Sequence, residues 1–221
     1  MSVAITGIFA RVEDAVCVCF EIKSEDGAHT ESERFIISAS QMARLGLAKG
    51  EADEELYETV EREARLYEAT RRALRSLEFG ACSKKALRIK LVRAGFDREC
   101  AERAVELLER EGLMNDSETA CREAERALKK LWGPRRIEAE LYKKGYGADC
   151  VRNALRHIDR VGADYVANCK SLVRKKLRSN RIPPDGTGKL FAALQRYGYT
   201  SSEIREALSE LGVGDGDALD I

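Results

Sequence analysis

The sequence predicts a mostly α-helical fold, in which three tandem three-helix repeats stack as an elongated curved solenoid behind a small antiparallel β-element. Three observations support this prediction. Apolar residues alternate with other residues before about residue 50. Helical periodicity then extends from Asp53 almost to the end of the chain, and one residue pattern occurs three times. Charged residues make up 34% of the chain and aromatic residues only 6%, which is typical of exposed amphipathic helices.

The β-element is predicted over about residues 1–50. Apolar residues alternate with other residues from Val16 to Ile22, which is the period of a half-buried strand. Residues 3–9 and 34–37 are predicted to be partner strands, with a turn at 25–27 between the second and third strands. Ser40 is then predicted to cap a short helix that ends at Gly46.

The repeated pattern, here called the motif, starts at Ser83, Gly133 and Gly186 and needs no gap in any copy. Positions four and eight are apolar in each copy, position twelve is glycine and position thirteen is aromatic. The glycines are Gly95, Gly145 and Gly198, and the aromatic residues are Phe96, Tyr146 and Tyr199. Three copies in register are hard to obtain by chance, so the motif predicts a structural repeat.

Each copy of the motif predicts a capped helix, a glycine turn in the left-handed conformation, and a second helix. A further helix is predicted before each copy, at about 54–79, 117–131 and 163–179. A unit of about 50 residues cannot bury its apolar face alone, so we expect nine main helices in three stacked repeats. The predicted divisions are a β-element at 1–50, repeats at 51–115, 116–160 and 161–212, and an acidic tail at 213–221.

The distribution of charge and the number of cysteines restrict which kind of protein the sequence can encode. The net charge is zero, but residues 1–66 carry a net charge of −7 and residues 67–221 a net charge of +7, which suggests two parts with different roles. Seven scattered cysteines indicate reduced thiols in a cytoplasmic protein rather than a disulfide framework. We recognise neither a signal peptide nor a membrane-spanning stretch, so we expect no membrane association.

The sequence shows no recognisable enzyme, metal or cofactor motif. Residues 183–190 superficially resemble a phosphate loop, but Leu190 stands where a serine or threonine must bind Mg²⁺. Cys17 and Cys19 are half of a conceivable metal site, yet His29 is the only candidate neighbour. We therefore predict no catalytic residues, no metal and no cofactor.

Basic residues carry the functional prediction, because they recur in register. Position ten is Arg93, Lys143 and Arg196, and four cations follow one helical stripe after residue 169. The candidate partner-binding or DNA-binding residues are Lys85, Arg93, Arg135, Arg136, Lys143, Lys170, Arg174, Lys175, Arg178, Arg181, Lys189 and Arg196. A solvated helix face explains any single residue equally well, whereas repetition favours a ladder that follows phosphates or an acidic groove.

Three stretches of the sequence resemble the RecX family of bacterial recombinase regulators. They are SKKALRIKLVRAGF with AERAVELLEREGLMND, WGPRRIEAELYKKGY with VRNAL, and KLFAALQRYGYTSSEIREAL, and together they cover about residues 67–211. The N-terminal part is similar to the extension that some members carry. The resemblance implies tandem three-helix repeats and a non-enzymatic protein that binds the RecA–DNA filament in its groove, restraining its ATPase, strand-exchange and co-protease activities.

Two classes of function stay open at this point. The first is a monomeric regulator that lies along a recombinase filament and contacts single- or double-stranded DNA there. The second is a tandem-helix module that binds DNA by itself. The neutral net charge favours the first class, because an independent DNA-binding domain usually has a clear positive excess.

Overall fold

The structure, a computed structural model, describes residues 2–24, 29–178 and 187–213, with the side chains of 176–178 left out. The described chain is mostly helical, with ten α-helices and one small antiparallel sheet, as the sequence predicts. It divides into two compact units. Unit 1 comprises residues 1–81 and 87–114, and unit 2 comprises residues 82–86 and 115–221.

The sheet of unit 1 has four antiparallel strands in the order β3-β2-β1-β4. The strands are β1 Ser2–Ala10, β2 Ala15–Lys23, β3 Thr30–Ser38 and β4 Gly50–Ala52. The three predicted strands are confirmed. The prediction missed β4, because three residues are too few to show an alternating pattern.

The short helix α1 spans Ala39–Leu45 and ends at Gly46, which has a left-handed φ of 61° as the prediction requires. The predicted cap, Ser40, is wrong. The N-cap is Ser38, whose hydroxyl accepts from the Gln41 amide at 3.1 Å while the Gln41 side chain accepts from the Ser38 amide at 2.8 Å. This capping box begins the helix as soon as β3 ends, so Ser40 lies inside the first turn.

Nine further helices follow α1 in the described ranges. They are α2 Glu54–Glu78, α3 Lys84–Arg93, α4 Arg98–Arg110, α5 Asp116–Lys129, α6 Pro134–Lys143, α7 Ala148–Arg160, α8 Tyr165–Arg178, α9 Thr187–Arg196 and α10 Ser201–Ser209. The predicted helices at 54–79, 117–131 and 163–179 correspond to α2, α5 and α8. The helix pairs α3–α4, α6–α7 and α9–α10 correspond to the copies of the motif.

The core of unit 1 lies between the sheet and α2. Phe20 and Val60 are fully buried there, and the rings of Phe20, Phe35 and Tyr57 meet edge to face with centroids 5.2 to 5.8 Å apart. Edge-to-face contact is an arrangement that aromatic rings prefer, so the cluster stabilises the packing of the sheet against α2.

A buried carboxylate connects three helices of unit 1. Glu63 of α2 accepts from Arg44 of α1 at 2.6 Å, from Arg103 of α4 at 3.0 Å and from the Gln41 amide group at 2.7 Å. These partners satisfy the charge, which would otherwise be costly to bury. Glu63 therefore has a structural role.

Unit 2 contains two hydrophobic clusters. The first is formed by α5, α6 and α7 around Ile137, Leu141 and Tyr146. The second is formed by α8, α9 and α10 around Leu194 and Tyr199. Each motif copy in this unit thus buries its stripe together with the helix that precedes it, as the apolar spacing predicts.

Several predicted features fall outside the described residues. They are the turn at 25–27, the cap at Gly186, the stretch at 183–186 and most of the acidic tail. None of the described helices is both long enough and apolar enough to cross a membrane.

Candidate functional site

Each motif copy closes its first helix in the same way. The motif glycine has a φ of 96° at Gly95, 89° at Gly145 and 93° at Gly198, which is the left-handed region that the sequence predicts. The amide of the following aromatic residue then bonds the carbonyl five residues back, at 3.2 to 3.3 Å in all three copies. This pattern is the Schellman ending of a helix, and it turns the buried aromatic ring back toward the core.

Within unit 2, the start of the first copy contacts the glycine turn of the second. We call this contact, between residues 83–85 and 143–146, the serine junction. The buried hydroxyl of Ser83 donates to the Lys144 carbonyl at 2.6 Å and accepts from the Ala86 amide at 3.1 Å. One side chain therefore caps α3 and also satisfies a carbonyl at the end of α6.

Acidic residues support the serine junction from α5. Asp116 accepts from the Lys84 amide at 2.9 Å, and Glu123 forms ion pairs with Lys144 and with Arg126. Burial acts to raise the pKa of Glu123, but the hydrogen bond and charge of Lys144, helped by Arg126, outweigh it and hold that pKa below its ordinary value. The Lys144 ammonium is therefore engaged within the protein.

The start of the second copy contacts the glycine turn of the third. We call this contact, between residues 131–136 and 196–199, the glycine junction. The Gly133 amide donates to the Tyr197 carbonyl at 2.8 Å, and the Arg135 amide donates to the Gly198 carbonyl at 3.2 Å. The Tyr199 hydroxyl donates to the Leu131 carbonyl at 2.9 Å. The first two of these hydrogen bonds join backbone atoms directly, and Gly133 supplies no side-chain cap for α6.

The close approach at the glycine junction requires both glycines. A Cβ atom on Gly133 would lie 2.4 Å from the Gly198 carbonyl carbon, and one on Gly198 would lie 2.3 Å from the Arg136 amide nitrogen. Real Cβ atoms essentially never approach other atoms so closely. The Gly-Pro start of the second copy therefore reflects packing as well as helix initiation.

Arg136 has a packing role that its sequence position did not indicate. Its guanidinium carbon lies 4.1 Å from the centre of the Trp132 ring and 5.0 Å from that of Tyr197, so the cation is held between two aromatic faces. The Lys130 ammonium also lies 5.4 Å from the Trp132 ring centre. The available sequence signal was the single tryptophan of the chain, just before the motif.

Each junction brings exposed cations from two copies of the motif to one place. Lys85 and Lys143 lie at the serine junction, and Arg135 and Arg196 lie at the glycine junction. None of these four side chains forms an ion pair within the described ranges. Both junctions can therefore present positive charge to a phosphate or carboxylate.

The position-ten cations have a second physical effect. Arg93, Lys143 and Arg196 are each the last residue of their helix, and all three are exposed. A cation there stabilises the negative end of the helix dipole by about 0.3–1 kcal/mol. Lys189, two turns before Arg196 on α9, is also exposed.

Only some of the described cations in the predicted basic stripe of α8 are exposed and without an ion pair. Cys169 and Val173 are fully buried, as the prediction requires, and Arg174 and Lys175 are exposed without an ion pair to any described residue. Lys170 differs from the prediction, because it forms an ion pair with Glu210 just beyond α10. The side chains of Arg178 and Arg181 lie outside the described residues, as does that of Leu177.

Four of the described cysteines have environments that disfavour thiolate chemistry. Burial raises the pKa of Cys100, Cys121 and Cys150, and it raises the pKa of Cys169 to about 11. Among the residues that the structure describes, no group of three or more His, Cys, Asp or Glu side chains is placed to hold a metal ion.

Comparison with known proteins identifies the family. No protein-family profile matches the chain. The regulatory protein RecX of Pelodictyon phaeoclathratiforme is 32% identical over 148 residues, which cover 66% of this chain and 89% of the relative. The RecX protein of Amycolatopsis mediterranei is also 32% identical over 148 residues, covering 60% and 78%. That of Clostridium botulinum is 25% identical over 185 residues, covering 81% and 86%.

Solved structures agree in fold. A crystal structure of a regulatory protein RecX superposes with a TM-score of 0.73 at 21% identity, covering 93% of this chain and all of that one. The structure of RecX from Lactobacillus salivarius gives a TM-score of 0.58 at 20% identity, covering 68% and 98%. Together with the identity to the curated relatives, this likeness leads to one conclusion: the chain belongs to the RecX family of regulatory proteins.

Proposed function

We propose that this protein binds the RecA filament on DNA and lowers its recombinase, ATPase and co-protease activities during DNA repair and recombination. Family membership supports a regulatory role, and the absence of a recognisable catalytic motif in the sequence favours regulation by binding. The observation that carries the proposal is the pair of junctions in unit 2. Each presents exposed cations from two motif copies at one place.

The junctions suit a polyanionic partner because backbone hydrogen bonds fix the main-chain positions from which their cationic side chains extend. The backbone amide of Arg135 is positioned by its hydrogen bond to the Gly198 carbonyl, and Arg196 lies two residues before that glycine. Cations whose attachment points are already ordered lose less conformational freedom when they bind phosphates or carboxylates. Electrostatic attraction also raises the rate of encounter with a charged filament.

We further propose that the three repeats, at 51–115, 116–160 and 161–212, stack as a curved solenoid, and that the protein acts as a cytoplasmic monomer. The two junctions support stacking, because each joins the start of one copy to the turn of the next. Small-angle X-ray scattering tests the proposal. A compact, spherical scattering profile, or the molecular mass of a dimer, would contradict it.

The central experiment reverses two charges at the glycine junction. Arg135→Glu with Arg196→Glu is expected to weaken binding to RecA filaments on single-stranded DNA at least tenfold, or about 1.4 kcal/mol, in co-sedimentation. Inhibition of RecA ATPase should weaken in parallel. If the residues bind phosphates, the salt dependence should become shallower by roughly one unit of slope for each phosphate that the variant no longer binds. The matched control is Arg156→Glu with Arg205→Glu, two exposed arginines of unit 2 outside both junctions.

The outcomes separate the proposed sites and functions. Unchanged affinity in the folded junction variant would refute the role of the junction. Arg174→Glu with Lys175→Glu would then test the stripe on α8. Equal affinity of the wild-type protein for bare DNA and for filament across a salt series would instead indicate an independent DNA-binding module.

A further inference from the structure

Unit 1 contains a groove that the proposed function does not use. It lies between the C-terminal half of α2 and the turns of α3 that belong to unit 1, and its volume is about 560 Å³. We call it the α2–α3 groove. Leu87 and Leu91, which are themselves buried, form its floor, and the exposed Ala94 lines its apolar side. Aliphatic groups of this kind accept an apolar side chain rather than a polar one.

An exposed aromatic residue stands at the edge of the α2–α3 groove. Phe79, at the C-terminal end of α2, lines the groove and is 94% exposed, which makes it the most exposed large hydrophobic residue in the described chain. Leaving a phenylalanine ring in water forgoes the favourable free energy of burying it. An exposed ring beside an apolar groove is a common feature of binding surfaces.

Basic side chains surround the groove, and none of the carboxylates that the structure describes lines it. Arg72 and Arg75 come from α2, and Lys90 and Arg93 come from α3. Within the described part of the chain the three arginines form no ion pair, whereas Arg71, one turn before Arg75 on α2, pairs with Glu13 at 3.0 Å. The groove therefore carries positive charge that no ion pair among the described residues compensates.

The two walls of the groove are linked by one hydrogen bond. The Lys90 ammonium of α3 donates to the Ser76 hydroxyl of α2 at 3.2 Å. This bond crosses between the basic walls and leaves the arginines free to contact a ligand. The groove thus combines an apolar side, an aromatic edge and a positive rim within one compact unit.

We propose that the α2–α3 groove binds an acidic peptide segment that also carries an aliphatic side chain. The carboxylates would pair with Arg72, Arg75 and Arg93, and the aliphatic group would pack against the exposed Ala94 and the Phe79 ring. A single-stranded nucleic acid fits less well, because the groove offers one aromatic ring rather than a series of stacking platforms. This proposal is independent of the proposed binding to RecA, because Arg72, Arg75 and Phe79 belong to unit 1 and lie outside the serine and glycine junctions.

The test uses the full-length protein and fluorescently labelled eight-residue peptides of Glu and Asp, with a single Leu moved through each position. Fluorescence anisotropy is expected to show binding for at least one peptide. That peptide should bind at least fivefold more weakly when Leu is replaced by Gly, or when its acids are replaced by Gln and Asn. An aliphatic contact and a charge contact are thereby measured separately.

Protein variants locate the binding. Arg72→Glu with Arg75→Glu should weaken binding at least tenfold, and Phe79→Ser at least threefold. The matched control, Arg62→Glu with Arg98→Glu, reverses two exposed arginines of unit 1 outside the groove and should have no effect. Circular dichroism verifies folding, and Arg72→Gln with Arg75→Gln provides a milder second variant.

Three results would overturn the proposal. One is equal affinity for the acidic peptides and their Gln and Asn counterparts. Another is equal loss of binding in the groove variant and the control. The last is tighter binding of an eight-nucleotide oligo-dT that depends on Arg72 and Arg75, which would assign the groove to nucleic acid. RecA filament binding by the groove variant reports on the proposed function separately.

Discussion

The serine junction and the glycine junction form the same kind of contact by different chemistry. In both, the start of one motif copy contacts the glycine turn of the next. At the serine junction a side chain crosses the gap, from the Ser83 hydroxyl to the Lys144 carbonyl. At the glycine junction the gap is closed by the backbone, with the Gly133 amide on the Tyr197 carbonyl.

The difference shows how position zero sets the distance between copies. A serine there supplies a hydroxyl, and a Cβ on Gly145 would lie 3.0 Å from that oxygen. A glycine there lets the backbones approach until a Cβ on either side would overlap. The missing side-chain cap at Gly133 is offset by Pro134 at the first helical position and by the Arg136 guanidinium between two rings.

The largest expected effect comes from Gly198→Ala, which combines a positive φ with direct overlap at Arg136. We expect a loss of about 3 kcal/mol or more in the free energy of unfolding, from left-handed strain and overpacking together. Urea unfolding followed by Trp132 fluorescence measures it, because this single tryptophan lies at the junction.

The control for Gly198→Ala is Gly95→Ala. Gly95 has the same positive φ, but a Cβ there would meet nothing within 4 Å, so strain alone is expected to cost about 1–2 kcal/mol. Since Gly95 lies in unit 1, circular dichroism should follow its unfolding. Equal losses in the two variants would mean that the close approach at Gly198 relaxes without cost.

Gly133→Ala isolates the steric part of the glycine junction. Gly133 has an ordinary φ of −77°, so alanine causes no backbone strain, yet its Cβ would lie 2.4 Å from Gly198. We expect a loss of about 2 kcal/mol by overpacking. Trp132 fluorescence in urea measures this as well. A neutral or stabilising substitution would contradict the tight contact.

Ser83→Ala should have a moderate effect at the serine junction. It removes the donor to the Lys144 carbonyl and the acceptor of the Ala86 amide, and we expect a loss of about 1–2 kcal/mol. Chemical denaturation of the variant measures the loss. Ser83→Thr, which keeps the hydroxyl, is the matched control and should recover part of the stability. Equal loss in both variants would contradict the role of the hydrogen bonds.

Glu123→Gln should have the smallest effect, less than about 1 kcal/mol at pH 7, because its partners Lys144 and Arg126 are largely exposed. The folded-state pKa of Glu123 lies below its ordinary value. Its ionised form therefore stabilises the fold above the ordinary carboxyl pKa, near 4.3, and this contribution is lost as the pH falls through the lowered value.

The pH series should show the sign of this linkage. Between pH 7 and pH 3 the wild-type protein should lose more stability than the Glu123→Gln variant. Glu138→Gln, an exposed change on α6, is the control and should parallel the wild type. Parallel curves for wild type and Glu123→Gln would contradict the lowered pKa.

Much of the local structure was predictable from periodicity and turn chemistry. The strand β2, the helices α2, α5 and α8, and the positive φ of the motif glycines follow from short-range rules. The cap of α1 was misplaced by two residues, because two nearby serines satisfy the same local rule and only the end of β3 selects Ser38. The candidate cations were recognisable as a set, but their individual surroundings were not.

The sequence by itself determined the helical composition, the motif and the family, because each depends on residue types at fixed spacing along the chain. Only the tertiary structure decided which cations are engaged and which are exposed. Lys170 meets Glu210 forty residues away, and Arg136 meets Tyr197 across a junction. Such contacts arise from packing between distant elements, and neither local propensity nor periodicity carries information about them.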